Sequence, residues 1–333
     1  MATIRDVANY AGVSIATVSK YINGGNVLAE NKVLIEEAIE KLNYQVNIMA
    51  RGLKTNKTMT IGILIPSLTN LFFTTIIASL ESIIQTEGYS TIISNYQEDV
   101  DLEREKLEFL ATRNVDGIIM VPSGQGNLDL ITKLNKDTPI ILIDRNIEGA
   151  QLDAVLTDNI NGSYTAVEKF IAKGHRRIGV ICGPKEHYTA EERLVGYERV
   201  HRDYKLKIDP ELIKFGDYQL EGGHRALTQL LDLEVPPTAI FVTNYEMTLG
   251  AVIALNEMGV SIPQDVSIIG YDNLELAKLV KPPLSMVIQP MEAIGKTAAQ
   301  LLLQRLNGDR SGFPSLHRLE SELMIKDSIK RID

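Results

Sequence analysis

Two aspartates stand directly after apolar runs of the sequence. Asp144 closes the run PIILID, and Asp272 follows VSIIGY. If both runs are parallel strands, the two carboxylates lie at the carboxyl ends of a sheet, where open α/β sheets bind their ligands. An ionised carboxylate accepts several hydrogen bonds and donates none, which suits the hydroxyl groups of a sugar. These two residues therefore indicate binding of a hydroxylated small molecule.

The sequence carries none of the common catalytic patterns. No GxGxxG follows the first apolar run, and GxxxxGK[ST], GxSxG and HExxH are all missing. The five histidines lack the spacing of metal ligands, and the single cysteine lies in the strand-like run RIGVICG, where a small buried side chain fits. We therefore expect no enzyme, no metal site and no cofactor.

The segment VANYAGVSIATVSKYING near the N-terminus has the spacing of a helix-turn-helix. Such a unit needs a small residue where the helices cross (Ala8), a residue that tolerates a left-handed turn (Gly12) and inward aliphatics such as Val18. Thr3 and Ser14 can cap the first two helices. A three-helix bundle with no DNA role is the alternative. The outward residues of the second helix, which a recognition helix presents to the major groove, are Ile15, Ala16, Thr17, Ser19 and Lys20.

Charge is distributed unevenly along the chain. The 333 residues carry a net charge of −9, but residues 1–58 hold seven basic and five acidic side chains. This segment therefore has a charge of +2, which leaves −11 for the remainder. A cationic head on an anionic body is consistent with nucleic-acid binding that is confined to the head.

Short apolar runs alternate with amphipathic segments from about Thr60 onward, beginning with TIGILIP and ending with VSIIGYD. This rhythm predicts an α/β body with two doubly wound parallel sheets, in addition to the all-α headpiece. We expect the headpiece at residues 1–45, a hinge helix and linker at 46–58, and the body at 59–333. Residues 59–158 and 290–333 are assigned to the first lobe, with a last strand near 319–325, and residues 159–289 to the second.

Membrane and export signals are lacking in the sequence. No run approaches the roughly 18–20 uninterrupted apolar residues of a membrane span, and the opening MATIRDVANY has no apolar export segment. We therefore expect a cytoplasmic protein with no membrane partner.

The opening TIRDVANYAGVSIATVSKYING, followed by LNYQVNIMARGL, resembles the headpiece and hinge of the lactose repressor/galactose repressor family. The body resembles the same family through IPSLTNLFF, GHRRIGVICGP, ERLVGY, PTAIFVTNYEMTLGAV, IPQDVSIIGYDN and PPLSMVIQPM. The resemblance implies a periplasmic-binding-protein-like effector domain of two lobes. It also implies a homodimeric transcriptional regulator, expected to be a repressor, that binds double-stranded operator DNA.

The resemblance assigns roles to individual headpiece and hinge residues. Ile15, Ala16 and Lys20 are expected to read bases, and Leu53 to wedge into the minor groove. Lys20 stands where the family usually has arginine, and lysine lacks the planar fork that binds guanine in a bidentate manner. Val46 stands where the family commonly has proline. The expected DNA-binding residues are Thr3, Ser14, Ile15, Ala16, Thr17, Ser19, Lys20, Asn23, Asn47, Ala50, Leu53 and Lys54.

The resemblance also places an effector cleft between the two lobes. The expected effector is a sugar, a sugar acid or a sugar phosphate, and a purine or nucleoside stays open. Tyr245 departs from the family, which usually has aspartate there, and the change can favour a less polar ligand. The expected effector-binding residues are Phe72, Phe73, Asp144, Tyr188, Arg193, Asn244, Tyr245, Asp272 and Gln289.

Three other functions are alternatives to this interpretation. A secreted sugar-binding protein would share the body but would not need a helix-turn-helix. A cofactor-dependent enzyme would need a phosphate-binding loop, which the sequence lacks. A global carbon-catabolite regulator controlled by a phosphorylated carrier protein belongs to the same family. The segments TNYEMTLG and VIQPM fit that regulator equally well.

Overall fold

The computed structural model describes residues 2–22, 24–44, 57–272 and 274–332. The chain divides into two compact units, Met1–Met59 and Thr60–Asp333. The first unit contains the predicted headpiece, and the second contains the predicted body. Most of the hinge predicted at residues 46–58 lies outside the described residues.

The headpiece is built from three helices, which are α1 (Ile4–Ala11), α2 (Ile15–Ile22) and α3 (Ala29–Lys41). Thr3 forms a capping box with Asp6: the Asp6 amide donates to Thr3 Oγ1 (3.3 Å), and the Thr3 amide donates to the Asp6 carboxylate (2.8 Å). Gly12, with a φ of 66°, ends α1 in the left-handed conformation that glycine adopts at little cost. Ser14 Oγ accepts the Thr17 amide at 3.1 Å. Both predicted caps are therefore present.

Apolar side chains hold the three helices together. Val7, Val18 and Ile35 are fully buried, one from each helix. Ala8 is also buried, and its small side chain lets the helices approach closely. The core of the headpiece thus comes from the inward positions of the helix-turn-helix pattern, and α2 is left with an exposed outer face.

The first lobe contains one six-stranded parallel sheet with the strand order β11-β5-β4-β3-β1-β2. Its central strands are buried along nearly their whole length, as expected of a sheet that helices cover on both faces. Its elements are β1 (Thr60–Ile65), α4 (Leu71–Ile84), β2 (Ser90–Asn95), α5 (Val100–Thr112), β3 (Gly117–Met120), α6 (Leu128–Leu134), β4 (Ile140–Ile143), β5 (Asp153–Thr157), α12 (Met291–Leu306) and β11 (Leu316–Leu319).

The second lobe repeats this plan with the strand order β12-β10-β9-β8-β6-β7. All its strand pairs are parallel except β12 with β10. Its elements are α7 (Asn159–Ala172), β6 (Ile178–Cys182), α8 (Tyr188–Asp203), β7 (Ile213–Phe215), α9 (Leu220–Leu231), β8 (Ala239–Val242), α10 (Tyr245–Met258), β9 (Ser267–Tyr271), α11 (Leu274–Leu279), β10 (Ser285–Ile288) and β12 (Glu322–Met324).

The chain crosses between the lobes three times, after β5, after β10 and after β11. The third crossing corrects the prediction that a last strand near 319–325 completes the first lobe. β12 pairs with β10 in register Met286↔Met324. Leu323 and Ile329 pack on the core of the second lobe, and the Ile332 amide donates to the carbonyl of Lys173 at 2.8 Å. The assignment of residues 322–332 to the first lobe is therefore wrong, because β12 pairs with β10 and the partly buried Leu323 and Ile329 pack on the second lobe.

Within the described part of the chain, the longest apolar helices fall short of what a membrane crossing requires.

Candidate functional site

A cavity of about 420 Å³ opens between the two lobes of the body. The first lobe contributes the loop after β1, the start of α4 and the segments that follow β2 and β4. The second lobe contributes the start of α8, the loop before α9, the start of α10 and the ends of β9 and β10. The residues that line it are Pro66, Ser67, Thr69, Asn70, Phe72, Phe73, Asn95, Gln97, Glu98, Asp144, Arg145, Pro184, His187, Thr189, Arg193, Asp217, Tyr218, Gln219, Asn244, Tyr245, Glu246, Asp272 and Gln289.

Asp144 and Asp272 lie in this cavity at the carboxyl ends of β4 and β9. Each residue has a positive φ, 64° and 55° respectively, which turns the chain sharply out of its strand. Both side chains are buried, so each ionised carboxylate loses most of its hydration. Burial raises the pKa of Asp144, and it raises the pKa of Asp272 to about 6. The two carboxylates are thus acceptors held in a poorly solvated site.

Gln289 fixes the Asp272 carboxylate. The Gln289 backbone amide donates to Asp272 Oδ1 at 3.1 Å, and its side-chain amide donates to Oδ2 at 2.7 Å. Asp272 itself lines the cavity. Two hydrogen bonds from one partner leave the Asp272 carboxylate with a defined orientation.

Arg193 of α8 forms the charged floor of the cavity. Its Nε donates to Asn159 Oδ1 (2.9 Å), its Nη1 to the carbonyl of Thr243 (2.7 Å) and its Nη2 to Gln289 Oε1 (3.3 Å). The guanidinium also lies 4.0 Å from the centre of the Tyr271 ring. Arg193 is only 4% exposed, and these contacts hold it rigidly in one place.

A charge pair of the first lobe lies beside Asp144. Arg145 donates through Nη1 to Glu98 Oε2 (2.8 Å) and through Nη2 to Glu98 Oε1 (2.5 Å). Although burial opposes the shift, Arg145 lowers the pKa of Glu98. Arg145 Nε lies 3.7 Å from Asp144 Oδ2 and has no hydrogen-bond partner among the described residues. The guanidinium of Arg145 thus holds Glu98 and lies close to the Asp144 carboxylate.

Aromatic rings form the apolar part of the cavity. Phe72 and Phe73 open α4 and meet edge to face, with 5.2 Å between ring centres. Asn70 caps this helix by accepting the Phe72 amide at 3.0 Å. Tyr218 enters from the second lobe with a φ of 63°, and its ring passes so close to Gly183 that a Cβ there would lie 2.2 Å from Cε1. Rings from both lobes thus reach the cavity, where they can stack on the face of a ligand.

The exposed face of α2 is the candidate nucleic-acid interface of the headpiece. Ile15 is 43% exposed, and Ala16 and Lys20 are also exposed. A shallow groove runs beside this face, lined by Ala16, Thr17, Lys20, Asn26, Val27, Leu28 and Asn31. The predicted contacts Asn23, Asn47, Ala50, Leu53 and Lys54 lie outside the described residues.

Comparison with known proteins assigns a family to this combination of headpiece and body. Residues 3–47 match the family model for bacterial regulatory proteins of the lacI family, and residues 167–329 match the periplasmic binding protein-like domain. The chain is 35% identical over 334 residues to the HTH-type transcriptional repressor PurR of Aliivibrio fischeri (strain MJ11), covering 99% of this chain and 98% of that protein. This chain belongs to the lacI family. It is a DNA-binding transcriptional repressor that responds to a ligand, and not an enzyme.

Solved structures of lacI-family proteins share its fold. The lac repressor dimer bound to operator and the anti-inducer ONPF has a TM-score of 0.90 at 26% identity and covers 99% of each chain. A lacI-family regulator of Enterococcus faecium with bound ribose has a TM-score of 0.73 at 31% identity, covering 82% of this chain and 100% of that one. The first likeness extends over the headpiece and both lobes.

The cavity brings together eight of the nine residues predicted for effector binding in this lacI-family chain: Phe72, Phe73, Asp144, Arg193, Asn244, Tyr245, Asp272 and Gln289. Tyr188 does not line it, and its prediction is corrected. The Tyr188 hydroxyl donates to Glu192 at 2.8 Å and accepts from Arg318 at 2.9 Å. Its ring packs on the core of the first lobe, because the first residue of α8 faces that lobe.

The sequence interpretation missed several polar residues of the cavity. Arg145 directly follows Asp144, so its place in the sequence could have indicated it. Tyr218 follows the short strand β7, which the apolar pattern did not predict. Asn159 contacts Arg193 from the first turn of α7, and no sequence signal reveals a contact between residues so far apart.

Proposed function

We propose that this lacI-family repressor binds a pseudo-palindromic operator as a homodimer, and that a small carbohydrate in the cleft between its lobes changes its affinity for DNA. In this proposal residues 1–45 form the headpiece, 46–58 the hinge, and the remaining residues the effector and dimerisation domain. The observation that carries the proposal is the pair of buried strand-end aspartates, Asp144 from one lobe and Asp272 from the other.

The chemistry of the cavity favours a hydroxylated ligand. Its volume of about 420 Å³ lies in the range typical of small-molecule sites. Among the described residues, no hydrogen bond is donated to the Asp144 carboxylate, and the nearest cationic atom is Arg145 Nε at 3.7 Å. The Asp144 carboxylate can therefore accept a hydrogen bond from a ligand hydroxyl. The rings of Phe72, Phe73 and Tyr218 supply apolar surface for the carbon face of a sugar.

The charges of the cavity favour an uncharged sugar over a sugar acid or a sugar phosphate. Five carboxylates line it, which are those of Glu98, Asp144, Asp217, Glu246 and Asp272. Only two arginines oppose them. Arg145 is engaged by Glu98, and Arg193 already donates to three acceptors. The carboxylate of a sugar acid or the phosphate of a sugar phosphate would therefore enter an acidic site with few free donors. The relative with bound ribose makes D-ribose the first sugar to test.

On the DNA side, we propose that α2 lies in the major groove. Ile15, Ala16 and Lys20 would meet base edges, since all three are exposed on one face of the helix. Thr17, Ser19 and Asn23 would hold phosphates, and Thr3 and Ser14, at the starts of α1 and α2, would also contact DNA. Asn47, Ala50, Leu53 and Lys54 would act in the hinge as the family resemblance implies. The likeness to a lac repressor dimer on its operator supports this arrangement.

A ligand screen by thermal unfolding tests the proposal. D-Ribose, cellobiose, D-gluconate, ribose 5-phosphate, adenine and adenosine are added separately to the full chain. A ligand that binds only the folded state, at 100 times its dissociation constant, adds about 2.7 kcal/mol of stability. We expect an uncharged sugar to raise the melting temperature and the two anions to have little effect. Stabilisation by adenine alone would overturn the carbohydrate proposal. If none of them stabilises the protein, control by a phosphorylated carrier protein replaces the carbohydrate proposal.

A further inference from the structure

Two consecutive residues of α8 contact all three crossings between the lobes. Arg193 donates to Asn159, just after the first crossing, and to Gln289, in the second. Glu192 accepts from Arg318, at the end of β11 just before the third, with 2.7 Å between Oε1 and Nη1. The residue on the cavity floor and its neighbour are therefore connected to every segment that joins the lobes.

The chemistry of Glu192 determines the orientation of this chain of hydrogen bonds. Its Oε1 accepts from Arg318 and from the Tyr188 hydroxyl, and its Oε2 accepts from Asn159 Nδ2 at 3.0 Å. A carboxylate can only accept, so Asn159 must turn its amide nitrogen toward Glu192. The oxygen of the Asn159 amide then faces Arg193, where it accepts Nε.

Burial makes this orientation hard to reverse. Asn159 is fully buried, and Glu192 is 9% exposed. The Tyr271 hydroxyl also donates to Asn159 Oδ1, at 3.3 Å. If the amide of Asn159 turned over, its nitrogen would face two donors, those of Arg193 and Tyr271. An unpaired buried donor is unfavourable, so each reversed contact opposes the flip.

We propose that Glu192 and Arg318 are positioning residues of the cleft. Glu192 orients Asn159, Asn159 holds the Arg193 guanidinium, and Arg318 holds Glu192 while joining the third crossing to the same chain of contacts. A movement of the lobes that shifts β11 relative to α8 therefore disturbs the group on the cavity floor. This inference rests on the proposed function only for the identity of the ligand that Arg193 meets, and it is tested without any ligand.

The substitution Glu192→Gln separates positioning from simple packing. Glutamine has nearly the shape of glutamate, but one of its two terminal atoms is a donor. If that donor faces Arg318, the new amide group and the Arg318 guanidinium both present donors to each other. If it faces Asn159, the Asn159 amide must turn over and present nitrogen to Arg193. Either arrangement breaks one link of the chain.

The test is the ¹H–¹⁵N spectrum of the guanidinium Nε groups in the ligand-free full chain, with the Arg193 signal assigned by its loss in Arg193→Lys. We expect that signal to shift or disappear in Glu192→Gln and in Arg318→Ala, and to return toward its position in Arg318→Lys. Arg199→Ala is the matched control, because Arg199 lies on the same helix and contacts Asp203 and Tyr164 of the second lobe.

An Arg193 signal that is the same in wild type, Glu192→Gln and Arg318→Ala would overturn the proposal, and so would an equal change in Arg199→Ala. If Glu192→Gln does not fold, as judged by its melting curve, the half-exposed Arg318 decides the outcome alone. Failure of D-ribose to bind would contradict the proposed effector without changing this result.

Discussion

Asp144 and Asp272 occupy the same turn in the two lobes. The Asp144 amide donates to the carbonyl of Val155 in β5 at 3.1 Å, and the Asp272 amide donates to the carbonyl of Val287 in β10 at 2.7 Å. Each aspartate follows its strand with a positive φ and turns into the cleft. A ligand between the lobes can therefore meet one carboxylate from each side, and contact with both favours a closed arrangement of the lobes.

The raised pKa of Asp272 gives the ligand-free protein a pH dependence of a definite sign. The folded-state pKa is about 6, above the ordinary value of 3.8, so this group's contribution to stability is complete below about pH 4 and is lost as pH rises through 6. Between pH 5 and 7.5 we expect the group to remove about 1.4 kcal/mol from the free energy of unfolding. Urea denaturation of wild type and Asp272→Asn at both pH values measures this loss. A difference between the two proteins that stays constant with pH would contradict it.

Asp144→Asn should stabilise the ligand-free protein and weaken ligand binding. Burial of the Asp144 charge raises its pKa although Arg145 and Arg193 attract the charge, so a neutral amide removes a cost. The same change removes a charged acceptor for a ligand hydroxyl, and a hydrogen bond to a charged group contributes about 1.5–3 kcal/mol. We expect at least a tenfold loss of D-ribose affinity in calorimetry. Asp101→Asn, at an exposed position of α5, is the control and should change neither quantity.

The headpiece depends on its two helix caps. Thr3→Ala removes the capping box of α1, and Ser14→Ala removes the acceptor for the Thr17 amide at the start of α2. Each change should cost about 1 kcal/mol of headpiece stability. Hydrogen exchange of headpiece amides in the full chain measures this cost. Exchange in β3 and β8, which belong to the other unit, should stay as in wild type; a uniform change across both units would contradict a local effect.

Lys20 should contribute to base recognition. On a duplex selected from a random library, Lys20→Ala is expected to lose about 1–3 kcal/mol of binding and to relax the preference at one base pair. Lys20→Arg should bind with a changed preference at that same pair, because its planar fork meets guanine differently. The control is Lys32→Ala on α3, which pairs with Glu36 at the surface. If both lysines lower affinity equally for all sequences, Lys20 contacts only phosphates.

Signals within short segments of the sequence predicted much of this structure. Thr3 and Ser14 were predicted as caps because capping depends on residues three positions apart. The central strands were predicted because strands buried on both faces are continuous apolar runs. Asp144 and Asp272 followed from those strands, since the end of a strand determines where its next residue lies.

Contacts between distant residues explain what the sequence interpretation missed. Tyr188 was predicted to line the cleft, but its hydroxyl binds Glu192 and Arg318, and Arg318 lies 130 residues further along the chain. The sequence predicted one last strand near 319–325 in the first lobe, whereas the chain forms β11 there and then β12 in the second lobe. The pairing of β12 with β10 and the packing of Ile329 on the second lobe could be known only from the folded chain.

Operator titration shows whether ligand binding in the cleft is linked to DNA binding by the headpiece. Fluorescence anisotropy measures binding of the full chain to the selected duplex with and without saturating D-ribose, and calorimetry measures D-ribose binding with and without the duplex. Linkage requires both affinities to change by the same factor, typically 5–150-fold. Arg193→Lys should bind the operator as wild type does without ligand, and D-ribose should no longer change that affinity. If D-ribose binds the wild type and operator affinity stays constant, the cleft and the headpiece are not linked.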